Sequence, residues 1–220
     1  MRHSLFFLAA GLCVCTASSA SNLIVGGGFE APVAPALSYL LNATPSGWTG
    51  TGDMVAQGYA GAVNSGDGNQ WFDLNPGTAA STGISQVISL SASSPYVLSF
   101  LYNGGQPSQG FTTAIAFTVF TQNGALLSGS VSTASMNVYA GTGWALYSGQ
   151  FAAPTNTTAT VHFQPNGVWA NGFIDAVSVS AVPEVGSQAM ILLGLVVLAI
   201  KGLTLSRRSN AAICGATASD

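Results

Sequence analysis

Between Leu23 and Ser180 apolar and polar residues alternate in short runs, separated by Gly, Pro, Asn and Ser. A two-residue period sends successive side chains to opposite faces, so each run predicts a strand buried on one side. The expected strands are Leu23–Val25, Asp53–Ala56, Gln70–Leu74, Ile84–Leu90, Tyr96–Tyr102, Ala114–Gln122, Ala125–Thr133, Gly143–Ala152, Ala159–Gln164 and Gly172–Ser180. Gln122-Asn123-Gly124 between two such runs predicts a tight hairpin, because Asn and Gly accept positive φ. No amphipathic helical pattern interrupts the series. Short strands at this spacing predict an all-β fold, a two-sheet sandwich of jelly-roll type.

The two ends break the pattern. Arg2 and His3, the apolar stretch Leu5 to Val14 and the small residues Ser18-Ser19-Ala20 form a secretory signal peptide, expected over residues 1–20. Near the other end, Ala189 to Ile200 is apolar on every face, Lys201 interrupts it, and Arg207-Arg208 closes it. As a helix, Ala189 to Ser206 would span ~27 Å, enough for a thin hydrocarbon core. Lys201 and the arginines share one side, which places the C-terminus in the cytoplasm and the body outside. The expected division is a signal peptide at 1–20, a β-sandwich at 21–181, a transmembrane segment at 182–210 and a polar tail at 211–220.

Composition sharpens the reading of the body. It has no Lys, no Arg and no Cys, and its only histidine is His162. A surface without cationic side chains cannot neutralise phosphates, which excludes nucleic-acid binding. Cys13, Cys15 and Cys214 lie in the terminal segments, so no disulfide forms inside the body. Its acids are Glu30, Asp53, Asp67, Asp73 and Asp175, with no basic partner among them. Asp53 and Asp67, each beside a glycine, read as solvated loop acids.

Val182-Pro183-Glu184, the apolar run and Arg207-Arg208, on an exported chain, resemble the PEP-CTERM sorting signal of Gram-negative bacteria. That resemblance implies recognition by an exosortase-type enzyme and release or attachment of the body at the cell surface or in the extracellular matrix. Val182, Pro183, Glu184, Arg207 and Arg208 are its sorting residues. The body resembles galactose-binding-like β-sandwiches, among them carbohydrate-binding modules and DUF642-like domains. The matching stretches are Asn22–Glu30, Gly47-Trp48-Thr49, Asp67–Asn75, Ile84-Ser85-Gln86 and Gly172–Val179. Gly27 stands where the pattern has Asn, and Ala176 where a second Asp is common.

This second resemblance implies a structural Ca²⁺ where the opening and closing strands meet, with Glu30 and Asp175 as matching ligands. Calcium takes six to eight oxygens, so carbonyls and a third side chain, Asp67 or Asp53, would complete the set. Sugar binding calls for aromatic faces beside amides or carboxylates. Tyr59, Phe111 and Trp169 sit in Gly/Asn-rich stretches and are the candidates for it, whereas Trp48, Trp71 and Trp144 lie in or beside apolar strands and read as core. Catalysis has no support: G-x-S-x-G, H-E-x-x-H and a catalytic cysteine are missing, and His162 reads as a structural or edge-strand residue. The expectation is an exported, non-catalytic, carbohydrate-contacting protein of the envelope or polysaccharide matrix. The alternative is a purely structural or adhesive surface protein.

Overall fold

A computed structural model describes residues 21–62, 65–74, 83–105, 114–141, 143–166 and 172–182. Residues Ala20–Val182 form one compact unit. The expected signal peptide, the apolar run and the sorting residues Pro183, Glu184, Arg207 and Arg208 lie outside the described residues. Among the described residues no helix is long and apolar enough to cross a membrane.

The described chain forms eleven strands and two short 3₁₀ turns. The strands are β1 (Tyr39–Ala43), β2 (Thr49–Gly50), β3 (Gly52–Ala56), β4 (Gln70–Asp73), β5 (Ile84–Leu90), β6 (Pro95–Gly104), β7 (Ala114–Thr121), β8 (Gly124–Ser132), β9 (Ala145–Ala152), β10 (Thr157–Pro165) and β11 (Gly172–Ala181). They build two antiparallel sheets, β1-β3-β4-β11-β6-β9 and β2-β5-β10-β7-β8. The roll is visible in the pairing. β7 pairs with β8, β6 with β9, β5 with β10 and β4 with β11, a set of nested ribbons whose arms pass between the sheets. This is the jelly-roll sandwich expected from the strand spacing.

Its tip is the hairpin at Gln122-Asn123. Thr121 pairs with Gly124, which opens β8 at φ 126°, a conformation that favours glycine. The turn therefore falls one residue earlier than expected. Leu23–Val25 is not a strand. Asn22 makes an isolated bridge to Ser180, and its side-chain oxygen accepts the N–H groups of Ile24 and Val179, each at 3.0 Å.

Between the sheets lies the main core, including Met54, Phe72, Leu98, Phe100, Ile115, Phe117, Phe163, Ile174 and Trp48. Two buried glutamines fasten the N-terminal segment onto it. Gln86 accepts from Val25 N–H at 2.8 Å and donates to the Val25 carbonyl at 2.9 Å. Gln70 accepts from Ala34 N–H at 2.9 Å and donates to the carbonyls of Phe29 and Pro32. Val177 N–H also bonds the Gly27 carbonyl at 2.9 Å. A Cβ at residue 27 would run into the Val177 carbonyl, which explains glycine where the pattern has asparagine.

Candidate functional site

Strand periodicity divides the six-stranded sheet into a core face and an outer face. Met54, Phe72 and Ile174 point into the main core; Asp53, Val55, Trp71, Asp73, Phe173 and Asp175 alternate with them and point outward. Register aligns the outward residues in rows. Asp53 opposes Asp73, Asp73 opposes Phe173, and Phe173 opposes Asn103. In the next row Val55 opposes Trp71, and Asp175 opposes Leu101.

On this outer face the side chains form a second apolar cluster, separate from the inter-sheet core. It comprises Val55, Ala62, Trp71, Val138 and Phe173, with Tyr59, Tyr139 and Trp144 half-buried at its rim. Tyr59 comes from the 3₁₀ turn Tyr59–Gly61, and Tyr139 from the 3₁₀ turn Val138–Ala140. Asn137 caps the second turn by accepting the N–H groups of Tyr139 and Ala140 at 3.0 and 3.3 Å. The rings run in a continuous line. Tyr39 meets Tyr59 at 5.0 Å, Tyr59 meets Tyr139 at 6.3 Å and Tyr139 meets Phe173 at 6.0 Å. Phe173 meets Trp71 at 6.2 Å, and Trp71 meets Trp144 at 6.1 Å.

Carboxylates stand beside this line. Asp53 is 7% exposed and accepts the Asn42 N–H at 2.9 Å. It is therefore a strand residue opposite Asp73, not the solvated loop acid expected from its neighbouring glycine. Directly opposed residues of an antiparallel pair hold their Cβ atoms about 5 Å apart. Burial raises the Tyr139 phenol well above its ordinary range, and the charge of Asp73 and the Tyr59 phenol add to the effect. Tyr59 is raised too, by burial first, then by Tyr39 and Asp53. The indole N–H of Trp71, fully buried on the same face, has no hydrogen-bond partner among the described residues.

A second group of acids meets at the turn before β4. Asp175 is fully buried and accepts the Asp67 N–H at 2.6 Å and the Ala176 N–H at 2.7 Å. Glu30, exposed, accepts the N–H groups of Asn69 and Gln70 at 2.8 and 3.2 Å. A Cβ on Gly66 would lie 2.9 Å from Leu101 and 3.1 Å from an Asp175 oxygen, so this turn rests on the outer face. Gly68, at φ 66°, leaves room for the Glu30 carboxylate. Burial raises Asp175 from the ordinary 3.8 to about 7; the two N–H donors oppose the rise, and the charges of Asp67 and Glu30 add to it. Glu30 and Asp175 thus both anchor the turn that carries Asp67, through backbone N–H groups of Asn69 and Gln70 and of Asp67, whereas Asp53 belongs to the aromatic row. Among the described residues no three His, Cys, Asp or Glu side chains close into a metal-holding group. Their donor type still suits a hard cation: all are oxygens, and no Lys or Arg occurs in the body to neutralise them.

Of the aromatic residues expected to meet a sugar, Tyr59 lies in the ring line; Phe111 and Trp169 lie outside the described residues. Trp48 is core as expected. Trp71 belongs to the outer cluster instead, and Trp144 is half-buried over it. His162 lies on β10, between β5 and β7, so it is no edge-strand residue; it pairs with Gln164 at 3.3 Å.

The fold and these rows define a jelly-roll β-sandwich with an aromatic, carboxylate-bearing outer sheet face. Among solved structures, the chain is similar to the CBM22-1 xylan-binding domain from Paenibacillus barcinonensis Xyn10C. Identity is 16%, 77% of this chain and 99% of that one are covered, and the TM-score is 0.47. It is also similar to TmCBM61, solved with β-1,4-galactotriose, at 18% identity, 74% and 100% coverage and a TM-score of 0.46. A CBM4 structure gives 14% identity, 72% and 99% coverage and a TM-score of 0.43. At these levels the likeness assigns no ligand to this chain. No family model and no curated protein matches it.

Proposed function

We propose that this chain is an exported, non-catalytic protein of the cell envelope or extracellular polysaccharide matrix that contacts carbohydrate. The outer face of β3, β4 and β11 is its contact surface. The observation that carries this is the line of rings from Tyr39 to Trp144 beside the opposed pair Asp53 and Asp73. Aromatic faces stack on the apolar faces of sugars, and carboxylates accept from their hydroxyls. The signal peptide at residues 1–20 takes the body out, and the tail, with Val182, Pro183, Glu184, Arg207 and Arg208, then directs its release or attachment at the surface through a membrane-inserted helix and an exosortase-type enzyme. A structural Ca²⁺ held by Glu30, Asp175 and Asp67 would fix the turn against the outer face.

A glycan array probed with the full-length protein tests the contact surface. Selective binding that Tyr59→Ala removes supports it. A second reading, a structural or adhesive surface protein, rests on a different observation: Val55, Trp71 and Phe173 are at most 3% exposed, so part of the ring line is a second core. The absence of selective binding on the array favours that reading. For the metal, EDTA is expected to lower the melting temperature and calcium to restore it; an unchanged transition removes calcium from the description.

A further inference from the structure

The sandwich does not guard its edges equally. An edge strand offers a row of unpaired N–H and C=O groups to any chain that meets it, and folded proteins blunt it with short length, bulges, Pro or charge. β2, at one end of the five-stranded sheet, has two residues. β1, at one end of the six-stranded sheet, has five, with a register shift and Asn42 at φ 49°. β8, at the other end of the five-stranded sheet, runs nine residues with no Pro and no charged side chain. Its register shift falls beside the hairpin, between the pairs Val119–Leu127 and Phe120–Ala125, and leaves residues 128–132 regular. Among the described residues β8 pairs with β7 alone.

Register shows which groups face the open side. Asn166 N–H bonds the Ala114 carbonyl at 2.8 Å, so the main-chain groups of Ala114 point toward β10. That direction alternates along a strand, so those of Ala116 and Thr118 also point to β10, and those of Ile115 and Phe117 to β8. Val131 and Gly129 meet the latter pair. Ser128, Ser130 and Ser132, opposite Thr118, Ala116 and Ala114, therefore turn their N–H and C=O groups to the open edge. A second copy of the strand fits that row. Laid antiparallel about a two-fold axis through Ser130, Ser130 opposes its counterpart and Ser128 opposes Ser132 of the second copy. Such a ladder forms about six main-chain hydrogen bonds. On the core side it sets Gly129 against Val131 of the second copy, a small residue facing a large one.

Charge favours the same meeting. No Asp, Glu, Lys or Arg lies on β6, β7, β8 or β9, and β9 runs beside β8 at that side of the sandwich. The acids of β3, β4 and β11 stand two or more strands in from β9. At about 4.8 Å per strand they stay about 20 Å or more from those of a second copy. Salt screens exposed charges over ~8 Å. A body whose only charges are acids thus meets itself here without repulsion, and a cationic partner gains nothing at this edge.

We propose that β8 is a self-association edge. Two copies pair antiparallel through Ser128, Ser130 and Ser132 and join their five-stranded sheets into one. The axis stands normal to the sheet, so the contact leaves the ring line uncovered and is independent of the carbohydrate reading.

Sedimentation velocity of the full-length protein in non-ionic detergent, across a concentration series, reads the association. Expected is a monomer–dimer equilibrium that salt does not weaken. Ser130→Pro removes an N–H that β7 does not use and is expected to weaken the dimer by about tenfold or more. A proline that disturbs the strand would mimic that loss, so oxidative cross-linking maps the register independently. In a chain carrying Cys13→Ser, Cys15→Ser and Cys214→Ser, Ser130→Cys is expected to link two copies, because directly opposed Cα atoms lie about 5.5 Å apart, within disulfide reach. Ser128→Cys alone is expected to leave them unlinked, and a mixture of Ser128→Cys with Ser132→Cys to link them. A monomer at every concentration overturns the proposal. So does a dimer that Ser130→Pro leaves intact or Ser130→Cys fails to link, which is held elsewhere, by the apolar tail or another strand.

Discussion

At the residue scale, two buried polar side chains carry the most consequence. Gln70 ties Phe29, Pro32 and Ala34 to β4 through one amide. Gln70→Leu leaves those backbone groups without partners, so a loss of roughly 2–4 kcal/mol is expected in urea unfolding; a loss near zero would show that the N-terminal segment is held by other means. Asp175 sets a pH dependence. Its folded pKa of about 7 exceeds the ordinary 3.8. In metal-free protein the folded state keeps a proton that the unfolded chain has already released. Its contribution is therefore fully present below about 4 and lost as pH rises through about 7. At ~1.4 kcal/mol per unit this is a few kcal/mol. Unfolding in EDTA across that window is expected to show stability falling with pH, and Asp175→Asn to flatten the fall; an equal slope in the variant would assign it elsewhere. Asp175 stood out in the sequence as an acid without a basic partner, whereas Gln70 read only as the start of a strand, and Asp53 misled. Its neighbour Gly52 looked like a loop signal, but a Cβ there would meet the Phe72 ring. The glycine serves packing between β3 and β4, and nothing local to residue 53 shows which strand lies opposite.

At the element scale, the bulge in β11 explains how one strand serves two faces. Pairing with β6 shifts register between Asp175 and Ser178, and Ala176 sits at φ 49°. The extra residue changes parity: Ile174 faces the core before it, and Val177 and Val179 face the core after it. Phe173 and Asp175 are thereby left on the outer face. An alanine in the left-handed region costs about 1–2 kcal/mol. Ala176→Gly is expected to raise stability by about 1 kcal/mol in urea unfolding without moving Asp175. A destabilised variant would mean that the Ala176 methyl is needed for packing. Nine of the ten expected strands are present because regular alternation shows wherever one face is buried. β1 escaped because Asn42 takes φ 49° and the register shifts between Leu40 and Ala43. β2 has two residues and no period to read. The parity change in β11 also stayed hidden, since Phe173, Asp175, Val177 and Val179 look like one face of an unbroken strand.

At the scale of the whole molecule, charge is segregated. Three of the five acids of the body lie on one sheet, the strands of the other sheet are uncharged, and the four Lys and Arg residues lie at the two ends of the chain. A body without cations has no electrostatic attraction of its own to anionic lipid headgroups. The tail carries Lys201, Arg207 and Arg208 beyond its apolar run, which oppose passage of the C-terminus outward. If that segment serves sorting rather than permanent anchoring, the membrane-bound form is transient and the mature chain loses it. The expected result is an exported protein whose intact mass lacks residues 1–20 and the apolar run Ala189–Ile200 and which no longer partitions with the membrane. A mature chain that keeps the run and fractionates with membrane makes it an anchor. Export of the body then stands while the sorting reading falls, because an apolar run with a basic flank is by itself enough to hold a chain in a membrane.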